Sequence, residues 1–191
     1  MKSNKELILI IARDIYLKDG LASLSMRKVA SKVGISATAI YRHYTNKEEL
    51  LFHVLLKGYR VFEGYLNDVD ESQNSQRCLF KTTEAYLIFA LNEQAYYRTL
   101  FMSGEETVDI RKKFPQHADT ITAGFQILQR RVALDLDDKN KSKKNAYTIS
   151  FSVWAYAHGQ ISLFLQNRTG LSQQDFTSLY VKNMNVFLSH I

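Results

Sequence analysis

The chain has 191 residues, 46% of them hydrophobic, with one proline and eight glycines. So few breakers in long stretches of mixed polarity predict an all-α fold, in one ordinary domain or two small ones. No apolar run reaches the roughly 18 residues that cross a bilayer, and the lone Cys78 excludes an internal disulfide framework and a multi-cysteine zinc site.

The short apolar run Leu7–Ala12 is followed by Asp14, without a small-residue cleavage site, which argues against a signal peptide; a reducing cytoplasm is the expected setting. The net charge of +6 is unevenly placed: residues 1–60 hold 11 Lys/Arg against 5 Asp/Glu, and the remainder holds 14 of each. The basic excess therefore lies wholly at the N-terminal end. It suits a polyanion such as DNA, with a merely basic surface as the plainer alternative.

In chain order, Ser3 and Glu6 form a capping box that starts a first helix. Leu7, Ile8, Ile11 and Ile15 make its apolar face, and Asp19-Gly20 ends it. Ser25 caps a second helix with Val29, Ala30 and Val33 inward and Arg27, Lys28 and Lys32 outward. Gly34 supplies a left-handed corner, Ile35 plugs it, and Ser36 caps a third helix, Ala37–Tyr44. Ile40 and Tyr44 face inward there; Ala37, Thr38, Tyr41 and His43 face outward. Asn46 with Glu49 starts a fourth helix that runs to about Leu66.

The polar stretch 67–76 reads as a loop. Further helices are predicted over about 77–91, 93–102, 105–113 and 116–134. The charged stretch 135–144 reads as a second loop. A long helix over about 144–166 carries Tyr147, Phe151, Trp154, His158, Ile161 and Leu165 at intervals of three or four. Ser172 and Asp175 cap the last helix, with Phe176, Tyr180, Met184 and Phe187 recurring along it.

Motifs of enzyme chemistry are absent: no phosphate-binding glycine loop, no HExxH, no GxSxG. The histidines at 43, 53, 117, 158 and 190 show no metal-ligand spacing, and the pairs Glu105-Glu106 and Asp137-Asp138 sit in solvated stretches. A non-enzyme without cofactor or metal is expected. The Gly34 corner is different, because caps, amphipathic helix, turn, plug and short helix follow in the order of a helix-turn-helix. Small residues at 37–39 let the backbone approach base edges. Thr38 and Arg42 are suited to bases, and Arg27, Tyr41, His43 and Lys47 to phosphates.

This region, over about residues 5–52, resembles the DNA-binding domain of the tetracycline-repressor (TetR) family of bacterial regulators. The resemblance rests on Leu24–Ala30, on Val33-Gly34-Ile35-Ser36, on Ile40-Tyr41-Arg42-His43-Tyr44 and on Asn46-Lys47-Glu48-Glu49-Leu50, with Tyr44 where Phe is commoner. It implies DNA contacts at Arg27, Thr38, Tyr41, His43 and Lys47; Ala37 and Arg42 join them from the reading of the helix itself. It also implies a two-domain, all-helical subunit of about nine helices. Residues 1–47 would form the DNA-binding domain, and residues 48–191 a ligand-binding and dimerisation domain whose last two helices build a dimeric four-helix bundle.

Trp154, His158 and Gly159 are similar to a Trp-x-x-x-His-Gly element of one subset of these regulators. Trp154 and His158 share a helix face. They either line an effector pocket or are core, with Gly159 admitting a neighbouring helix. Tyr86, Phe89, Tyr96, Tyr97, Phe101, Phe125 and Phe151 are aromatic candidates for the same wall, or again core. The implied function is a dimeric repressor that binds an inverted-repeat DNA operator and is released by a small-molecule effector. An activator of the same fold, or a helical interaction module without sequence-specific DNA binding, are the alternatives.

Overall fold

The computed structural model describes residues 3–72, 74–102, 112–139 and 145–191. Among them are nine α-helices and no strand: α1 Asn4–Asp19, α2 Met26–Val33, α3 Ala37–Ile40, α4 Lys47–Asn67, α5 Ser75–Asn92, α6 Gln94–Tyr97, α7 Ala118–Asp138, α8 Ala146–Leu165 and α9 Gln173–Ser189. Short 3-10 turns cover Leu21–Ser23 and Pro115–His117, and a π-helical turn covers Arg98–Met102. Among the described residues no helix is long and apolar enough to cross a membrane. The helix predicted over 105–113 falls mostly outside the described residues.

The chain forms two compact units. The first comprises Met1–Arg60 with Gln94–Ile121, and the second Val61–Glu93 with Thr122–Ile191. The boundary between the units falls within α4, between Arg60 and Val61, whereas the functional division expected from sequence lies at residue 47, where α4 begins.

In the first unit, Ser3 and Glu6 make the reciprocal capping box and Gly20 ends α1 at φ 77°. The buried stripe of α1 is Ile8, Ala12, Ile15 and Tyr16, with Leu7 and Ile11 only half-buried. The stripe is turned from the predicted one because the run from Leu7 to Ile11 is apolar on every side. Periodicity alone could not choose among its faces. Further along, a Cβ on Gly58 of α4 would stand 2.6 Å from the ring of Tyr96, so α6 approaches α4 at a position without a side chain.

In the second unit, α5 buries Leu79, Thr83, Tyr86, Leu87 and Ala90, the face read from the sequence. Helix α7 continues through Asp138, so residues 135–138 are not the loop expected. Asp135 and Leu136 lie four residues beyond Arg131 and Val132 and extend the same buried stripe. The Asp135 carboxylate is held by Lys139 at 2.9 Å and by the Ser75 hydroxyl at 3.5 Å. Arg131, 1% exposed, donates to the Thr82 hydroxyl at 2.9 Å and to Glu71 at 3.0 Å.

Helix α8 turns a stripe of mostly small residues into the core: Ala146, Ser150, Val153, Ala157 and Ile161. Tyr147 and Phe151, which share the predicted face, are 61% and 51% exposed. Small residues permit close helix packing, and this displaces the large aromatic stripe outward. Helix α9 is capped by Ser172 as read, and Phe176, Tyr180 and Met184 are buried, followed by Leu188 rather than Phe187. The Tyr180 hydroxyl donates to the carbonyl of Thr83 at 2.9 Å, tying α9 to α5.

Candidate functional site

The corner between α2 and α3 is built by local chemistry. The Ser25 hydroxyl accepts from the Lys28 N–H, capping α2. Gly34 takes φ 80°, ψ 29°, and its N–H returns to the carbonyl of Ala30 at 3.0 Å while the Ile35 N–H reaches the same carbonyl at 3.1 Å. These bonds satisfy a carbonyl that the end of α2 leaves open. The Ser36 hydroxyl then accepts from Ala39 N–H at 3.1 Å and starts α3.

The α-helical part of the segment expected to read DNA, Ala37–Tyr44, is only Ala37–Ile40, but turns continue it. Arg42 N–H bonds the carbonyl of Ala39, and the His43 and Tyr44 N–H groups bond that of Ile40. Ile40 and Tyr44 are buried, 0% and 2% exposed, and anchor the segment inward. Arg27, Ala37, Thr38, Tyr41 and Arg42 are exposed, while His43 and Lys47 are half-buried. Lys47 is partly committed: its Nζ donates to the carbonyl of Leu21 at 2.8 Å, fastening the start of α4 to the turn after α1. An ammonium has three donors, so this bond leaves capacity for a second acceptor.

The hinge into α4 is tighter than the sequence suggests. The Asn46 side chain accepts from Glu49 N–H at 2.8 Å, as a cap should. The Glu49 carboxylate, however, reaches back one residue further and accepts from both the N–H and the hydroxyl of Thr45, at 2.6 and 2.7 Å. These bonds, the hydroxyl one foremost, hold its pKa below the usual carboxylate range.

The effector candidates fall into groups. In the second unit, the Trp154 indole N–H donates to the Tyr86 hydroxyl at 3.2 Å, and that hydroxyl stands 3.1 Å from Nδ1 of His158. Burial holds the His158 pKa below its ordinary value, which favours a neutral imidazole there. Phe125 and Phe151 meet the Trp154 ring edge-on at 6.0 and 6.1 Å. Phe89 is fully buried and packs on Phe62 and Tyr65. Phe101 belongs to the first unit, beside Tyr97 at 5.5 Å. A Cβ on Gly159 would meet open space among the described residues, so no described helix uses that glycine for a close approach.

A cleft of about 380 Å³ in the second unit is lined by Tyr65, Asp68, Val69, Asp70, Arg77, Lys81, Glu84, Ala85 and Ile88, none of them a predicted effector contact. Sequence reasoning also passed over Phe62, whose ring lies 5.6 Å from Tyr86 and fills the space beside Gly124. A glycine inside the helical pattern of α7 was the available signal. Among the described residues no group of three or more His, Cys, Asp or Glu side chains is placed to hold a metal.

Residues 8–54 match the model of bacterial regulatory proteins of the tetR family, and residues 79–184 match a tetracyclin repressor-like C-terminal domain. The chain belongs to the tetR family. This makes it a transcriptional regulator with a helix-turn-helix, and not an enzyme. An HTH-type transcriptional regulator of Staphylococcus aureus (strain USA300) is 22% identical over 162 residues, covering 70% of this chain and 88% of its own length. Solved structures share the fold. A Rhodococcus sp. RHA1 protein of unknown function superimposes with a TM-score of 0.79 at 18% identity, over 100% of this chain and 96% of the other. The fatty acid degradation regulator of Bacillus halodurans gives 0.73 at 14% identity, over 98% and 95%.

Proposed function

We propose that this tetR-family regulator is a repressor that acts as a homodimer in the cytoplasm, binds an inverted-repeat operator, and releases it when a small effector occupies the second unit. The observation that carries the reading is the reading segment itself. Ile40 and Tyr44 hold it from inside, while Thr38, Tyr41 and Arg42 stand exposed on it. Thr38 and Arg42 would touch bases in the major groove, with Ala37 allowing close approach. Arg27, Tyr41, His43 and Lys47 would hold phosphates. The functional division then falls near residue 47, with 48–191 serving ligand and partner.

Dimerisation through α8 and α9 is supported by Tyr156, Leu163, Leu179 and Val186, which are 39%, 53%, 43% and 56% exposed. Apolar side chains grouped this way on adjacent helices gain by burial against a second copy. A two-fold dimer would read half-sites about one helical turn apart, roughly 34–36 Å. Effector binding beside Trp154, Tyr86 and His158, with Phe89, Phe125 and Phe151 as further wall candidates, would favour a state that no longer matches this spacing. A coupling of about 1–3 kcal/mol changes operator affinity about 5–150-fold.

The test is a gel shift with DNA from upstream of the protein's own gene, at low and high salt, alongside sedimentation of the protein alone. Salt-sensitive binding by a dimer is expected. Failure to bind at low salt overturns the reading. An activator role differs only in where the operator lies relative to the promoter, and reporter expression in a deletion strain distinguishes the two signs.

A further inference from the structure

Two histidines that the DNA reading does not use lie together in the first unit. Phe114 stacks on Phe52 of α4 with ring centroids 4.1 Å apart and planes 14° from parallel. His117, at the end of the following turn, lies on the same Phe52 ring at 5.2 Å. His53, the next residue of α4, stands 6.5 Å from His117 and meets Tyr44 edge-on at 5.4 Å. Tyr44 is the inner anchor of the reading segment, and the ammonium of Lys5 from α1 lies 5.7 Å from its ring centroid. The chain from the Phe114–His117 turn to the reading segment thus runs through two imidazoles and two aromatic rings.

From this arrangement we propose that His53 and His117 form an acid-operated joint: protonation loosens the Phe114–His117 turn from α4 and, through Tyr44, weakens the seating of the reading segment. The surroundings of His53 oppose a positive charge. Burial is the main cause, and Lys5 from α1, His117 from the turn and Arg60 on α4 act in the same direction, with Glu49 alone opposing them. Lys112, Lys113 and Asp119 flank the turn in sequence, and Lys113 is engaged by Glu48 at 2.9 Å. The Glu49 carboxylate is already bonded to Thr45. A proton on His53 therefore places a further charge beside Lys5 and Arg60 in a partly buried site.

The direction follows from linkage. Folding lowers the pKa of His53, so the stability it supports is complete above the ordinary histidine value of about 6.5 and is lost as pH falls through the lower folded value. Acid should weaken the joint.

Hydrogen exchange of the full-length protein, corrected for intrinsic rates, tests this between about pH 7.5 and about pH 5.5, on either side of the histidine range. The amides of residues 50–54 and 114–118 should exchange several-fold faster at the acid end in the wild type. His53→Gln and His117→Gln should remove that acceleration while matching wild type at the alkaline end. Flat protection in the wild type, or acceleration unchanged in His117→Gln, overturns the proposal. Side-chain NMR titration of wild-type His53 is a second measurement, independent of whether either variant folds; a pKa at or above the ordinary value also overturns it. The effect on DNA rests on the repressor reading. Operator affinity measured on the same upstream fragment should fall on acidification in the wild type and not in His53→Gln, whereas a fragment that binds at no pH refutes the DNA reading and leaves the exchange result to decide the joint.

Discussion

Gly124 lies directly against the ring of Phe62, so that a side chain at this position of α7 would occupy space the ring already fills. Phe62 also packs on Tyr86 and Phe89 at 5.6 and 5.0 Å, so it has little freedom to yield. Gly124→Ala should therefore destabilise the protein by about 1–3 kcal/mol through overpacking, although alanine alone would favour the helix by about 1 kcal/mol. Thermal denaturation of the two proteins decides the sign.

Tyr86→Phe removes the hydroxyl that joins Trp154 to His158. A loss of about 1 kcal/mol is expected, since two half-buried partners lose one bond each. Trp154 is the single tryptophan of the chain, so its fluorescence maximum should shift in the variant without interference. An unchanged emission spectrum would show that the indole does not depend on this hydroxyl.

Lys47→Ala removes both the bond to the Leu21 carbonyl and a cation at the start of α4. The bond predicts a stability loss of about 1 kcal/mol. A phosphate contact predicts in addition that the slope of log affinity against log salt becomes shallower by about one. Loss of stability with an unchanged slope would make Lys47 a positioning residue only.

Thr38→Ala should change discrimination at a single base pair by about 1–3 kcal/mol, because Thr38 is exposed on the first turn of the reading segment. Uniform weakening on every sequence would instead assign Thr38 to the backbone. A panel of single-base operator variants separates the two outcomes.

Glu71 carries the charge that faces buried Arg131. The hydrogen bond from Arg131, foremost, and the charges of Arg130 and Arg131 hold its pKa below the usual carboxylate range. The stability it gives is therefore present above the unfolded carboxylate value and lost as pH falls through the lower folded value. Glu71 is 50% exposed, so solvent screening limits the loss in Glu71→Gln to about 1 kcal/mol at neutral pH. In strong acid the melting temperatures of variant and wild type should converge.

What the sequence made legible was local. Ser3 with Glu6, Ser25, Gly34, Ser36, Asn46 and Ser172 each act within four residues of their own position, and each cap forms where the pattern puts it. Even here one detail escaped: Glu49 bonds Thr45, because a side chain at the first turn can reach either of two neighbouring N–H groups. The burial of Arg131 and Asp135 was not legible, since their partners Thr82 and Ser75 lie 49 and 60 residues away. Trp154 and His158 could be paired by helical spacing. Their common partner Tyr86 sits 68 and 72 residues earlier, beyond the reach of any periodicity.

The first compact unit is drawn from two separate stretches of chain, Met1–Arg60 and Gln94–Ile121. Its N-terminal part is therefore not a detachable module. A fragment ending after Arg60 would uncover Gly58, against which Tyr96 packs, and strip Phe114 from Phe52. Transplanting the operator preference of one such regulator onto the body of another would then need two coordinated exchanges along the gene. A chimera joined at a single crossover inherits a mismatched seam.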